Sequence, residues 1–168
     1  MSVVNETRIR VRYAETDQMG VVYHANHFVW FEVGRVELFR QFGFSYKDME
    51  RDDDCCIAVV DAQCRYKAPV HYDDEVIVRT HLKHVREKVL RFAYELRNAE
   101  TGKVLAEGET THVVANSKMK SRALPEKYLK AFRAAVSSPC KGHPNSRVSA
   151  SLKRCPNTKH PRKLIIGN

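Results

Sequence analysis

No run of about 18 apolar residues occurs in this chain, so it offers no membrane-spanning helix. Its opening segment, MSVVNETRIRVRYAETD, lacks the apolar core of a secretory signal, and the expected compartment is the cytoplasm. No Cys-x-x-Cys pair occurs among Cys55, Cys56, Cys64, Cys140 and Cys155. Adjacent Cys55 and Cys56 cannot readily bridge each other, and a zinc site wants a different spacing, so reduced thiols are expected. Acidic residues are missing altogether from residues 137–168, which carry seven Lys and Arg. The front 136 residues hold the other 22 Lys and Arg and all 20 acids, so they account for only +2 of the net +9. The basicity belongs to the tail, which weakens a nucleic-acid-binding reading of the whole chain. That tail also holds four of the six prolines and five serines without a periodic apolar face, and residues 137–168 are expected to be disordered.

What remains is ordinary globular material, at 43% hydrophobic and 29% charged residues. A chain of 168 residues suits one domain, assigned to residues 1–136. Residues 6–13 alternate, with Thr7, Ile9, Val11 and Tyr13 on one side and Glu6, Arg8, Arg10 and Arg12 on the other, a half-buried strand. A loop containing Gly20 follows. In residues 26–43 Phe28, Phe31, Leu38, Phe39 and Phe42 recur at helical spacing, interrupted by Arg35. Val29, Trp30, Val33 and Val36 widen this face, so a mostly covered helix is expected, with Asn26 as candidate cap and Gly43 as its end. Gly34 costs roughly 1 kcal/mol against Ala inside a helix and would suit the close approach of another backbone. Four further strands are predicted over 57–67, 75–84, 88–97 and 103–115, with Arg51 to Asp54 as a solvated loop before the first of them. In the 88–97 strand Leu90, Phe92, Tyr94 and Leu96 form one face, and Asn98 to Gly102 reads as a hairpin turn. A short helix fits Glu126–Val136, opened by Pro125. One long helix against an antiparallel sheet of five strands is an α+β domain.

Chemistry concentrates in Arg10–Arg35, RVRYAETDQMGVVYHANHFVWFEVGR. Asp17 falls in a loop just ahead of the helix, and Tyr23, His24 and Asn26 fall at its start. A helix start has free N–H groups and a positive dipole end, which can hold a developing oxyanion. A nearby carboxylate can attack a carbonyl or activate water to do so. A loop Asp is also an ordinary turn former or helix cap.

The same segment resembles the signature of the 4-hydroxybenzoyl-CoA thioesterase family, a branch of the hotdog-fold acyl-CoA thioesterases, and more closely its Tol-Pal-associated bacterial branch. The resemblance extends over roughly residues 5–136 and includes KAPVHYDDEV (67–76) and SKMKSRALP (117–125). It implies a hotdog fold, a long central helix wrapped by a five-stranded antiparallel sheet. It also implies acyl-CoA hydrolysis to free acid and CoA, with water as co-substrate and no cofactor or metal. Subunits would pair as a homodimer or homotetramer, with sites at the dimer interface and no nucleic-acid partner or stable membrane insertion. Asp17 matches the catalytic carboxylate, as nucleophile or general base. The His24 N–H matches the group that polarises the thioester carbonyl, and the His24 side chain a residue that assists proton transfer. Tyr23 would shape the acyl pocket or pack locally.

His24 and His27 lie three apart near Glu32, but a metal centre needs a convergent third ligand. Glu32 and Arg35 suit an i,i+3 pair. For the phosphates of CoA the candidates are Arg86, Lys88 and Arg91, and Lys118, Lys120 and Arg122 after the last strand. Phe28, Phe31, Tyr66 and Phe92 are pocket or core, with core favoured. Two other readings stay open: a thioesterase acting on an acyl carrier protein, and a non-catalytic acyl-CoA-binding hotdog protein.

Overall fold

The computed structural model describes residues 3–137. The predicted tail lies outside the described residues, apart from Ser137 at the end of the last helix. The elements are β1 (Val4–Arg10), a single 3-10 turn (Tyr13–Glu15), α1 (Asn26–Gln41), α2 (Tyr46–Asp53), β2 (Cys56–Tyr66), β3 (Glu75–Val85), β4 (Val89–Asn98), β5 (Val104–Ala115) and α3 (Glu126–Ser137). The strands form one sheet in the order β1-β3-β4-β5-β2, and every pairing is antiparallel. Among the described residues no helix is long and apolar enough to cross a membrane.

Alternation builds the inner face of the sheet. Val76, Val78, Thr80 and Leu82 of β3, Leu90, Phe92, Tyr94 and Leu96 of β4, and Ala106, Thr110, His112 and Val114 of β5 are all buried. Trp30, Phe31, Gly34, Leu38 and Phe39 of α1 pack on that face. Gly34 is required there, although side chains and not backbone press on it. A Cβ at this position would stand 2.4 Å from Thr80 Oγ1 and 2.9 Å from Val78 Cγ1. Gly108 of β5 is the matching gap, since its Cβ would meet the Phe31 ring at 2.3 Å. The hairpin after β4 forms as predicted, with Asn98 Oδ1 accepting from the Glu100 and Thr101 N–H groups and Gly102 at φ +69°.

Several expectations are corrected. The first strand stops at Arg10, and Tyr13 enters the 3-10 turn with its ring exposed, stacked edge-on against Tyr72. Asn26 does not cap α1; its side chain turns back to the Glu15 carbonyl at 2.7 Å, while Gly43 follows the helix at φ +81° as expected. Arg51 to Asp53 are not loop but the last turn of α2, and Asp54 closes that helix in the left-handed region at φ 48°. The eight residues of α2 bury only Met49, so no apolar period announces it. Glu32 and Arg35 do not pair: Glu32 faces solvent, and Arg35 turns inward to Tyr46 and Tyr94.

Nor is α1 fully covered. It packs over β1 and β3 and leaves Val29 and Val33 exposed. It meets the edge strand β2 at that strand's end, where His27 touches Tyr66, and leaves the middle of β2 uncovered. Val59 pairs in register with inward-facing His112 and therefore faces the same side, yet it is 54% exposed. Val60, in the bulge between Val59 and Asp61, is 59% exposed.

Candidate active site

The loop between the 3-10 turn and α1 is folded by its own backbone. An isolated bridge joins Thr16 to Val22, and the Asp17 N–H donates to the Val21 carbonyl at 2.8 Å. Gly20, at φ +75°, donates to the Asp17 carbonyl at 2.9 Å and makes the reversal possible. The Asp17 side chain takes part in this turn, its Oδ1 accepting from the Met19 N–H at 2.8 Å. The turn-forming role of a loop Asp is therefore present. It occupies one oxygen only: Oδ2 accepts no hydrogen bond among the described residues. The loop is docked on the β2–β3 link by the Val22 N–H, which donates to the Val70 carbonyl at 2.8 Å.

No side chain caps the start of α1, whose first N–H groups donate to the carbonyls of Tyr23, His24 and Ala25. Its capping residue is Ala25, with no side-chain cap bond, and the His24 N–H donates to no acceptor among the described residues. The His24 carbonyl, in contrast, accepts from Tyr66 Oη at 3.1 Å and from His27 Nδ1 at 3.2 Å. A carbonyl only accepts, so Nδ1 of His27 carries the proton and Nε2 is left as an acceptor. Burial holds the His27 imidazole below its ordinary pKa and outweighs the hydrogen bond to the His24 carbonyl, which raises it, so the neutral ring is favoured at neutral pH.

Asp17, His24, His27 and Tyr66 line one cleft of about 380 Å³, with apolar Met19 and Val70 on its walls. Two of these residues were not expected. By sequence His27 suggests at most a metal ligand, and Tyr66 reads as core. Tyr66 instead stands half exposed, with its ring edge-on to the His27 ring at 4.9 Å. Phe31 and Phe92 are core as expected. Nothing local in sequence ties Tyr66 to His24, 42 residues earlier.

The other candidates lie elsewhere. Tyr23 lies against the exposed His24 ring, tilted by 54° with centroids 4.3 Å apart, and is not among the residues lining the cleft. Arg86 and Lys88 occupy the β3–β4 turn at the far end of the sheet, beyond the 11 residues of β3. At about 3.3 Å per residue, roughly 33 Å of strand separates that turn from the Asp17 end. Arg122, at the same far end, donates from Nη1 to the carbonyls of Asp53 and Asp54 at 2.9 and 3.1 Å. Within a single chain these basic residues and Asp17 are not brought together.

The geometry offers a carboxylate oxygen, an unbonded helix-start amide and a neutral imidazole around one small cleft, the components of acyl transfer. Comparison with known proteins agrees with that chemistry. Residues 11–132 match the Thioesterase-like superfamily. YneP of Bacillus subtilis (strain 168), provisionally named an acyl-CoA thioesterase, is 38% identical over 129 residues, covering 77% of this chain and 90% of its own. YbgC of Escherichia coli O157:H7, named an acyl-CoA thioester hydrolase, is 33% identical over 126 residues, covering 74% of this chain and 92% of its own. Among solved structures, the DHNA-CoA thioesterase of Staphylococcus aureus superposes with a TM-score of 0.74 at 33% identity, over 77% of this chain and 89% of that one.

Proposed function

The chain belongs to the thioesterase-like superfamily, a hotdog-fold thioester hydrolase, and from that premise we propose that it hydrolyses acyl-CoA in the cytoplasm, with Asp17 as its reactive carboxylate. The observation that carries this reading is the pairing of a free Asp17 oxygen with an unbonded His24 amide at the edge of one cleft. The thioester carbonyl would accept from the His24 N–H, aided by the positive end of α1. Asp17 then either takes a proton from the attacking water or attacks the carbonyl itself, giving a mixed anhydride that water cleaves. Either route consumes one water, breaks the C–S bond and releases a carboxylic acid and the CoA thiol. No cofactor beyond water enters. The His24 side chain is exposed beside the cleft, where it would pass a proton to the departing thiolate.

A second copy of the chain completes the proposed enzyme. Val29 and Val33 on α1 and Val59 and Val60 on β2 are exposed, and β2 has an unpaired edge among the described residues, apolar surface that a second copy would cover. Pairing there would also let Arg86, Lys88 or Arg122 of one subunit reach the CoA phosphates of a substrate held by the other. A monomer by sedimentation at micromolar concentration would remove this part of the proposal.

The decisive test is thiol release from short, long and aromatic acyl-CoAs by wild type and Asp17→Asn. The Asn side-chain oxygen still accepts from the Met19 N–H, so the turn survives and only the carboxylate is lost. A fall in kcat of roughly 10³-fold or more is expected. Full turnover by the variant would refute the role of Asp17.

A further inference from the structure

Two residues before Asp17, at the end of the 3-10 turn, Glu15 is only 4% exposed. A buried carboxylate needs donors, and this one has three. Oε2 accepts from the Arg12 N–H at 2.8 Å, and Oε1 accepts from Arg12 Nη2 at 2.8 Å and from the Trp30 indole N–H at 3.0 Å. The backbone of the same residue is equally engaged. Its carbonyl accepts from the Tyr23 N–H at 2.9 Å and from Asn26 Nδ2 at 2.7 Å, and its own N–H donates to the Arg12 carbonyl at 3.0 Å.

Glu15 thus joins four places: the start of the 3-10 turn through Arg12, the second turn of α1 through Trp30, the first residue of α1 through Asn26, and the residue preceding His24. Both groups assigned to the chemistry hang from it at short range. Asp17 follows across Thr16, which is bridged to Val22, and the His24 amide follows Tyr23 directly. The Asp17 N–H bond to the Val21 carbonyl is a second short tie between the two, but it lies within the loop, and only Glu15 also anchors the loop to α1 through a buried side chain.

We infer that Glu15 is a positioning residue that fixes the distance between the Asp17 carboxylate and the His24 amide by clamping the loop to α1 through the Trp30 indole. This rests on the function proposed above. Its physical basis is that a misplacement of about 1 Å between reacting groups can cost 10²-fold in rate while leaving binding intact.

The test compares Glu15→Gln and Trp30→Phe with wild type and Asp17→Asn. Gln keeps one acceptor for the clamp, and Phe keeps the ring packing while deleting the indole donor. The readouts are kcat on the best acyl-CoA, affinity for an uncleavable thioether analogue of it, and Tm. For Glu15→Gln the expected result is a fall in kcat of roughly 10–100-fold, with analogue affinity within about twofold and Tm within a few degrees of wild type. Trp30→Phe, which removes the donor of the clamp outright, is expected to lower kcat at least as far. Wild-type kcat in both variants overturns the inference. So does parallel loss of kcat, analogue binding and Tm, which is the signature of a purely structural clamp. If Asp17→Asn is inactive while Glu15→Gln is normal, only this inference falls. If Asp17→Asn turns over normally, the function reading itself falls.

Discussion

Glu15 and Arg35 are both charged and both buried, at 4% and 8% exposure, and the protein treats them in opposite ways. Burial alone would push the Glu15 carboxyl up. The Arg12 side chain and backbone and the Trp30 indole outweigh that and hold it below the usual carboxylate range. Arg35 makes no ion pair among the described residues. Its Nε donates to Tyr46 Oη at 3.0 Å, Nη1 reaches Tyr94 Oη at a long 3.5 Å, and its guanidinium carbon lies 6.0 Å from the Tyr46 and Phe92 ring centroids. From Tyr94 a chain runs through Thr110 at 2.8 Å to His112 Nε2 at 2.7 Å and stops, since His112 Nδ1 makes no well-formed hydrogen bond among the described residues. The acid is satisfied by formal donors at close range. The base is held by rings and hydroxyls, so its cluster has no spare capacity for further charge.

The largest expected consequence falls on that second cluster. Burial first, and the positive field of Arg35 second, push the His112 imidazole down to about 4. In the unfolded chain a His titrates near 6.5. As pH falls from about 6.5 to 4 the unfolded state takes up a proton that the folded state refuses, so stability is full above 6.5 and is lost across this window. At about 1.4 kcal/mol per tenfold difference in proton affinity, the loss is about 3 kcal/mol. Urea unfolding from pH 7.5 to 4 should show it, and His112→Gln should flatten that part of the profile. Equal slopes in the two proteins would remove His112 as the cause.

Next in size is Glu15→Ala, which leaves the buried Trp30 N–H without an acceptor and Arg12 without its counter-ion. A cost of about 2–3 kcal/mol is expected by urea denaturation at pH 7. The smallest effect is expected from Arg35→Met. It deletes an unpaired buried charge and fills similar space, so a change within about 1 kcal/mol in either direction is expected. A penalty for Arg35→Met as large as that for Glu15→Ala would break the contrast between the two clusters.

The contrast also explains what could be read before the fold was seen. The partners of Glu15 are near in sequence, three residues back and fifteen ahead, inside the segment already singled out around Asp17. The loop, the helix start and the carboxylate all lie there, and so the heart of the candidate site was legible. Tyr66, reaching the His24 carbonyl from the end of β2, was not, because only strand pairing brings it there. Helical spacing permits a Glu32–Arg35 pair and cannot show which side of the helix is covered, so the inward turn of Arg35 is not legible in sequence. The same blindness hid α2 and the exposure of Val29 and Val33.

By itself, the sequence determined the elements whose signals are local. Alternation set the strands, Asn98 and Gly102 set a hairpin, apolar spacing set α1, and the Asp17–Gly20 turn precedes it. These follow from nearest-neighbour sterics and from hydrogen bonds that close within a few residues. Only the tertiary structure decided which faces those elements cover. It turned Arg35 inward, brought Tyr66 and His27 into one cleft with Asp17, and left β2 at the sheet edge with Val59 and Val60 uncovered. Those outcomes depend on sheet order and on how far a single helix can reach across five strands, and neither quantity is written in any local stretch of residues.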